Sequence, residues 1–265
     1  MIVRLVNKIL RKFNFILLNL SRYQNDANLR FDLRLKDYYC EIKNLFSENN
    51  IVFDIGACNG ETIDLYNEIF ENSNIHSIEP NTEFFDKLNI TVKKLGNKNN
   101  NNFFTYKVAL GEKNEIKKYN QYSNPVLSGF FNIDKTIASS IGKPAKLIKQ
   151  IEMETETGDQ FCKKNNIDIV DFMKINVQGF EPEILNGFDN MLKNSKIKFI
   201  LVEFDYTHRY EREVKISDLE NLLFHYQYGL FDIILLRRRK KDKIKLSYGL
   251  ALFANKEIND NLIWL

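Results

Sequence analysis

Two glycines, Gly56 and Gly60, follow a short apolar stretch, Ile51–Ile55, and precede a segment with helical character. A strand that runs through a glycine turn into a helix points backbone N–H groups and a helix N-terminus at a ligand. The carboxylate of Asp54, at the end of this strand, would repel a phosphate. The Gly-x-Gly-x-x-Gly spacing of dinucleotide-binding turns does not occur in the chain. The turn therefore indicates a ligand that carries a nucleoside but no phosphate.

Glu79 ends a second apolar stretch, Asn74–Ile78, and Pro80 follows it. It comes 19 residues after Gly60, near the spacing at which nucleotide-binding folds place a carboxylate on the ribose hydroxyls. Alone, Glu79 would be interpreted as a strand-end glutamate on the surface. Because Glu79 occurs together with the glycine turn, we favour a role for it in binding the ribose hydroxyls. S-adenosylmethionine has a ribose and a cationic amino-acid portion but no phosphate, so it fits both features.

Apolar strands and helical segments alternate along the rest of the chain. Further strands are predicted at residues 103–110, 149–157, 168–175, 198–204, 231–236 and 247–254. Such alternation is typical of a mostly parallel sheet with helices on both faces, and the final hairpin adds an antiparallel strand. We therefore predict an α/β fold in one domain, residues 48–265, preceded by a helical extension, residues 1–47.

The composition is that of a globular protein, with 44% hydrophobic and 28% charged residues in 265. The three cysteines, Cys40, Cys58 and Cys162, are scattered and lack metal-type spacing. We therefore expect no metal site and no disulfide scaffold, and a reducing, cytoplasmic location. The net charge of +3 is unevenly distributed: residues 1–36 carry +6, residues 237–243 carry +5, and about −8 remains elsewhere. An uneven charge distribution bears on which partners the protein binds and does not indicate its fold.

Residues 1–20 have apolar side chains at helical spacing with cations between them. The segment is too charged to span a bilayer, which needs roughly 20 mostly apolar residues, and no small-residue cleavage site follows it. The pattern fits a helix lying on an acidic membrane surface. It fits equally a helix packed on the protein's own surface, and both interpretations stay open.

The basic run 237–243 lies between the last two predicted strands, so it forms a hairpin tip. A solvated tip is the plain interpretation. The functional one is contact with a phosphate-bearing acceptor or an anionic membrane. A nucleic-acid partner is disfavoured because the run lacks interleaved aromatic residues.

Five motifs occur in a fixed order along the chain. They are Asp-Ile-Gly-Ala-x-x-Gly at 54–60, Glu-Pro at 79–80, Val-Ala-Leu-Gly at 108–111, Lys-Ile-x-x-Gln-Gly-Phe-Glu at 174–181 and Val-Glu-Phe at 202–204. This order resembles the FkbM-type methyltransferases, which are S-adenosylmethionine-dependent O-methyltransferases of the class I, Rossmann-like fold. The first motif marks class I enzymes in general, and the fourth narrows the resemblance to this family. The resemblance implies a seven-stranded sheet with one antiparallel strand.

The resemblance also implies a set of cofactor-binding residues. Around the methionine half of S-adenosylmethionine it places Asp54, Gly56, Ala57, Asn59 and Gly60. It assigns the ribose hydroxyls to Glu79 and the side of the adenine to Val108 and Ala109.

On the acceptor side, the resemblance places the turn of Lys174, Asn176 and Gln178 near the methyl group. The family commonly has Asp where this chain has Asn176. Asparagine can position a hydroxyl but cannot act as a base. The alternative proton acceptors lie at and after the next strand, and they are Glu203, Asp205 and His208. The long segment 124–141 has few helix or strand signals, and we expect it to border the substrate site.

These features favour O-methylation of a saccharide or glycan precursor, which could bear a phosphate, by an enzyme in the cytoplasm or at the inner face of the membrane. A non-catalytic cofactor-binding or membrane-associated module is the alternative. Asn176 and the amphipathic amino terminus motivate it. A nicotinamide oxidoreductase is disfavoured, because the dinucleotide-binding glycine pattern is absent.

Overall fold

The computed structural model describes residues 27–96, 99–134, 145–206, 209–238 and 246–258. The chain divides into two compact units, residues 1–41 and 42–265. The predicted boundary at residue 47 stays a prediction. Residues 1–20 and most of the basic tip 237–243 lie outside the described residues. No helix within the described ranges is long and apolar enough to cross a membrane.

The α-helices are α1 Ala27–Ile42, α2 Ile63–Ile69, α3 Thr82–Lys94, α4 Gly158–Lys164, α5 Glu181–Gly187, α6 Asp189–Lys193 and α7 Ile216–Phe224. The strands are β1 Ile51–Ile55, β2 Asn74–Ile78, β3 Asn102–Tyr106, β4 Ala109–Gly111, β5 Glu115–Tyr122, β6 Leu147–Thr157, β7 Val170–Ile175, β8 Ile197–Asp205, β9 Tyr228–Arg238 and β10 Leu246–Asn255.

The main sheet has seven strands in the order β3-β2-β1-β7-β8-β10-β9. The pairs from β3 to β8 are parallel, and β10 runs antiparallel to both β8 and β9. Its central strands are almost wholly buried, as expected for a parallel sheet covered on both faces. The predicted Rossmann-like sheet with one antiparallel strand is confirmed.

A second, three-stranded sheet was not predicted. It has the order β4-β6-β5, and β5 and β6 form a long antiparallel pair. The single strand predicted at 103–110 is wrong, because β3 belongs to the main sheet and β4 to the small one. β4 packs closely on α5: a Cβ on Gly187 would collide with the Gly111 carbonyl oxygen. This close approach needs a glycine at position 187.

Local signals set the helix beside the candidate site. Asn81 precedes α3, and its side-chain oxygen accepts hydrogen bonds from the backbone N–H groups of Glu83 and Phe84. Asparagine is among the preferred residues at this position because it satisfies N–H groups that lack a helical partner. The cap fixes the start of α3 directly after Glu79.

Candidate functional site

The glycine turn is fixed between the ends of β2 and β7. Gly56 and Gly60 have positive φ angles of +78° and +83°. The backbone N–H groups of Gly56 and Ala57 both donate to the Ile78 carbonyl oxygen, at 3.0 and 3.1 Å. A Cβ on Gly56 would collide with the Asn176 carbonyl oxygen. The turn therefore lies directly against the first residue after β7.

Asp54 and Lys174 form a buried ion pair beneath this turn. They are partners in the register of β1 and β7, and registered neighbours in a parallel sheet point to the same face. The Lys174 Nζ lies 2.8 Å from Asp54 Oδ1, and Thr62 donates to the other carboxylate oxygen. Asp54 has no solvent exposure. Its carboxylate is therefore occupied by the protein's own groups.

Glu79 holds the turn from the other side. One carboxylate oxygen accepts from the Cys58 N–H at 2.9 Å and the other from the Asn81 N–H at 2.8 Å. Each oxygen keeps a further lone pair for a ligand. Burial, with the nearby charge of Asp54, raises the pKa of Glu79 to about 7, while the two N–H groups and Lys174 oppose the rise.

Asn59 supplies an unused acceptor in the turn. Its side-chain oxygen is buried and has no hydrogen-bond partner among the described residues. A buried acceptor without a partner costs free energy, so it is suited to a ligand that brings an N–H or O–H group. The α-ammonium group of S-adenosylmethionine is such a donor. The residues present therefore fit this cofactor.

Val108 and Ala109 lie just beyond the end of β3, near Glu79, whose backbone N–H donates to the Tyr106 carbonyl oxygen. Ala109 is buried and Val108 half-buried. No sequence signal pointed to Tyr119, on β5 of the small sheet. This buried tyrosine lies beside Asn81 and Glu79, and burial together with the Glu79 charge raises the pKa of its hydroxyl.

A pocket lies at the carboxyl ends of β7 and β8. The residues that line it are Gln178, Gly179, Glu181, Glu203, Phe204, Asp205, Arg209, Tyr210, Arg212, Glu213 and Val214. The register pairs Ile175 with Val202, so the residues that follow them, Asn176 and Glu203, lie close together where the two strands end. Residues from two predicted strand ends thus meet at one edge of the sheet.

Glu203 is another carboxylate that lines this pocket. It makes no hydrogen bond or ion pair to the residues that the structure describes, although the charges of Arg209 and Lys174 act on it. Burial raises its pKa to about 8, Arg209 and Lys174 oppose the rise, and Glu181 and Asp205 add to it. A carboxylate with a raised pKa is a stronger base than an ordinary one.

The other charged groups of the pocket are paired. Arg209 lies 3.6 Å from Asp205, and Arg212 pairs with Glu183. Glu181 accepts the Val177 N–H at 2.9 Å, and burial raises its pKa to about 7. Among the described carboxylates lining the pocket, Glu203 is thus the one best placed to accept a proton.

Asn176 and Gln178 are linked by their side chains. Gln178 Nε2 donates to Asn176 Oδ1 at 3.1 Å, and the Tyr210 hydroxyl donates to Gln178 Oε1 at 2.7 Å. Tyr210 was not predicted, because its loop carries no motif. His208 lies outside the described residues.

The described part of the predicted insertion borders this pocket. Ile133 forms a β-bridge with Tyr210, and the Asp134 N–H donates to the Arg209 carbonyl oxygen at 3.0 Å. The Arg212 guanidinium lies 5.8 Å from the centre of the Phe131 ring. The described part of the insertion therefore packs against the loop that follows β8, which lines the pocket.

The structure thus brings the predicted residues that it describes together in two adjoining groups. One surrounds the glycine turn, and the other lies at the ends of β7 and β8. A family model described as the methyltransferase FkbM domain matches residues 54–230, which include both groups. The chain belongs to this family. It is therefore an S-adenosylmethionine-dependent methyltransferase.

Solved structures of several methyltransferases are similar in fold. Precorrin-6y C5,15-methyltransferase from Geobacter metallireducens is 10% identical with a TM-score of 0.44, covering 83% of this chain and 87% of that one. M. capricolum TrmK, solved with S-adenosyl-homocysteine, is 13% identical with a TM-score of 0.47, covering 82% and 67%. Aeropyrum pernix fibrillarin, solved with S-adenosyl-L-methionine, is 11% identical with a TM-score of 0.42, covering 78% and 67%. A search of curated proteins found no match.

Proposed function

We propose that this FkbM methyltransferase methylates a hydroxyl group of a saccharide or glycan precursor, and that Glu203 accepts the hydroxyl proton. The observation that carries the proposal is the position of Glu203. Its carboxylate lines the pocket and makes no hydrogen bond or ion pair to the residues that the structure describes. Glu203 follows the partner of Ile175 and so lies near Asn176, whose carbonyl oxygen lies against the glycine turn.

The turn would hold the cofactor. In this proposal the unused oxygen of Asn59 accepts from the amino-acid portion, Glu79 accepts from the ribose hydroxyls, and Val108 with Ala109 lies beside the adenine. Asp54 acts indirectly, because its carboxylate holds Lys174 in place. When bound, S-adenosylmethionine supplies an electrophilic methyl group on a positively charged sulfur.

The acceptor side has to align a hydroxyl and take up its proton. An alcohol oxygen becomes a good nucleophile only as its proton leaves, and a positioned base assists this step. Glu203 takes that proton, Asn176 positions the hydroxyl, and the insertion excludes water from one side. Turnover should therefore rise as the pH passes through the pKa of Glu203, about 8.

The charge of the pocket supports an uncharged reacting group. Arg209 and Arg212 are each paired with a carboxylate, and Glu203 adds further negative charge when it ionises. A saccharide hydroxyl tolerates such surroundings, whereas a phosphate would be repelled. Any phosphate on the acceptor would have to lie outside this pocket.

The test is a methyl-transfer assay on the purified full chain. The protein is mixed with S-adenosylmethionine and a panel of nucleotide sugars and simple glycosides, and S-adenosylhomocysteine and methylated products are measured by mass spectrometry. We expect a methylated saccharide from the parent and about 10² to 10⁴-fold slower formation of it by Glu203→Gln. Calorimetry that detected no S-adenosylmethionine binding would overturn the whole proposal. Full turnover by Glu203→Gln would overturn the role of Glu203.

A second candidate is a cofactor-binding module without turnover, and the neutral Asn176 favours it. The substitution Asn176→Asp separates the two. If the parent is inert with the whole panel and this variant transfers methyl groups, the chain is a binding module. A parent that is already active excludes that function.

A further inference from the structure

The Asn176 side chain lies at the end of a short chain of neutral hydrogen bonds. The Tyr210 hydroxyl donates to Gln178 Oε1 at 2.7 Å, and Gln178 Nε2 donates to Asn176 Oδ1 at 3.1 Å. An amide has its acceptor and its donor at opposite ends, so the direction of one bond sets the direction of the next. Asn176 Oδ1 is therefore used, and its Nδ2 has no partner among the described residues.

The backbone of Gln178 has a conformation that a non-glycine residue does not favour by itself. Its φ angle is +61°, in the left-handed region that non-glycine residues rarely adopt. Such a conformation persists when the surroundings determine it. The surroundings here are the Tyr210 hydrogen bond and the insertion, where a Cβ on Gly129 would lie 3.7 Å from Gln178 Cβ.

Tyr210 is itself firmly placed. It is 5% exposed, it forms a β-bridge with Ile133, and its hydroxyl lies 3.4 Å from the Leu127 carbonyl oxygen. Burial, with the charges of Glu203, Glu181 and Asp205, raises the pKa of this hydroxyl despite the opposing charge of Arg209. Tyr210 therefore stays a neutral hydrogen-bond donor at any working pH.

We propose that Tyr210 is a positioning residue that acts through Gln178 and turns the Asn176 amide so that its NH₂ group faces the acceptor. The part that concerns the acceptor rests on the proposed function. The acceptor oxygen then accepts from Asn176 Nδ2, and the hydroxyl proton points to Glu203 on the neighbouring strand. The site thereby offers one donor and one acceptor to the same hydroxyl.

This arrangement also distinguishes acceptor from product. A hydroxyl can accept from Asn176 and donate to Glu203 at once. After transfer Glu203 carries the proton, so the methyl ether has no proton to donate and can only accept, from Asn176 and from the protonated Glu203.

The test observes the side-chain amides directly by NMR, with the full chain labelled with ¹⁵N at Asn and Gln and bound to S-adenosylmethionine. The signals are assigned from their loss in Gln178→Glu and Asn176→Asp. In the parent, the Gln178 amide should be protected from solvent exchange. In Tyr210→Phe its exchange should accelerate by about tenfold, since the hydrogen bond that orients it is lost.

Tyr122→Phe is the matched control. Tyr122 is 7% exposed and contacts the same insertion, but its hydroxyl accepts the Ile133 N–H at 3.0 Å and does not touch Gln178. We expect it to change Gln178 exchange by less than about twofold. Unchanged exchange in Tyr210→Phe, or equal acceleration in both variants, would overturn the proposal.

Gln178→Glu keeps the test decisive if Tyr210→Phe does not fold. The carboxylate that this substitution introduces cannot donate to Asn176, so the Asn176 amide should turn and donate its own Nδ2, and its signals should become protected. Asn176 signals that stay as in the parent would contradict the proposed hydrogen bonding from Tyr210 through Gln178 to Asn176. Cofactor affinity is measured on the same samples. If the parent does not bind S-adenosylmethionine, the proposed function is wrong. If it binds the cofactor but the exchange is unchanged in the variants, only the positioning role of Tyr210 is wrong.

Discussion

The two sides of the site use their carboxylates differently. Around the glycine turn, Asp54 is occupied by Lys174 and Thr62, and Glu79 accepts two backbone N–H groups. At the ends of β7 and β8, Glu203 has no partner within the described residues. The first side therefore uses its carboxylates for rigidity, which suits a binding site. The second leaves one carboxylate unsatisfied, which suits a group that must exchange a proton.

Lys174 connects the two sides. It pairs directly with Asp54, and its charge opposes the rise in pKa of both Glu79 and Glu203. A lysine that serves both sides cannot satisfy all three carboxylates. The comparison can be tested by removing one member of each side and measuring whether turnover or stability changes.

The largest expected effect is on turnover. Glu203→Gln keeps the shape of the side chain but removes the base, so turnover should fall by about 10² to 10⁴-fold. The affinity for S-adenosylmethionine should stay unchanged, because Glu203 lies on the other side of the site. The parent's rise in activity through a pH of about 8 should vanish. A variant whose pH profile matches that of the parent would contradict the assignment of Glu203 as the proton acceptor.

Lys174→Met should instead destabilise the protein. It leaves Asp54 buried without its cation, and breaking a buried ion pair from one side typically costs about 3 to 5 kcal/mol. Denaturant unfolding measures the change. Lys193→Met is the control, because Lys193 pairs with Asp189 on the surface, with 63% of its side chain exposed, and such pairs contribute less than about 1 kcal/mol. Equal effects of the two variants would show that the buried pair is not structural.

Glu203 should also lower stability in a defined pH range. Its folded pKa of about 8 lies above the ordinary 4.5, so the folded protein binds more protons than the unfolded chain between these values. Stability attributable to this residue therefore falls as the pH rises from about 4.5 to about 8. Glu203→Gln should be more stable than the parent, by an amount that grows across this range. A constant difference in unfolding free energy would show that Glu203 is not held in a buried, unpaired state.

Gly56→Ala should disturb the glycine turn on the cofactor side of the site. A left-handed φ costs a non-glycine residue roughly 1 to 2 kcal/mol, and the new Cβ would collide with the Asn176 carbonyl oxygen. We expect lower stability and weaker S-adenosylmethionine binding in calorimetry. Gly96→Ala is the control, since a Cβ there meets no atom within 4 Å. Parent-like cofactor affinity in Gly56→Ala would show that the turn does not form the cofactor site.

The sequence was most informative where the site is built from neighbours in the chain. The glycine turn and Glu79 lie within one strand–helix–strand unit, so their spacing alone predicted that they lie close together. The partner of Asp54 lies 120 residues away, and only the register of β1 with β7 reveals it. Residues 102–111 are split between two sheets, and Gly111 packs against Gly187 far along the chain, a contact that no local pattern indicates. Tyr210 shows the same limit, since its importance arises from contacts with Gln178 and the insertion.

The smallest expected effect concerns the orientation of Asn176. If Tyr210 serves to turn that amide, Tyr210→Phe should reduce kcat by about tenfold, the scale of one hydrogen bond, with little change in the cofactor's KM. A carboxylate has two equivalent oxygens and needs no such orientation. In an Asn176→Asp background, Tyr210→Phe should therefore cost clearly less, and the two substitutions should be non-additive in a double-mutant cycle. The cycle is measured with the acceptor found in the methyl-transfer assay. Equal losses in both backgrounds would mean that Tyr210 supports the loop after β8 without orienting Asn176.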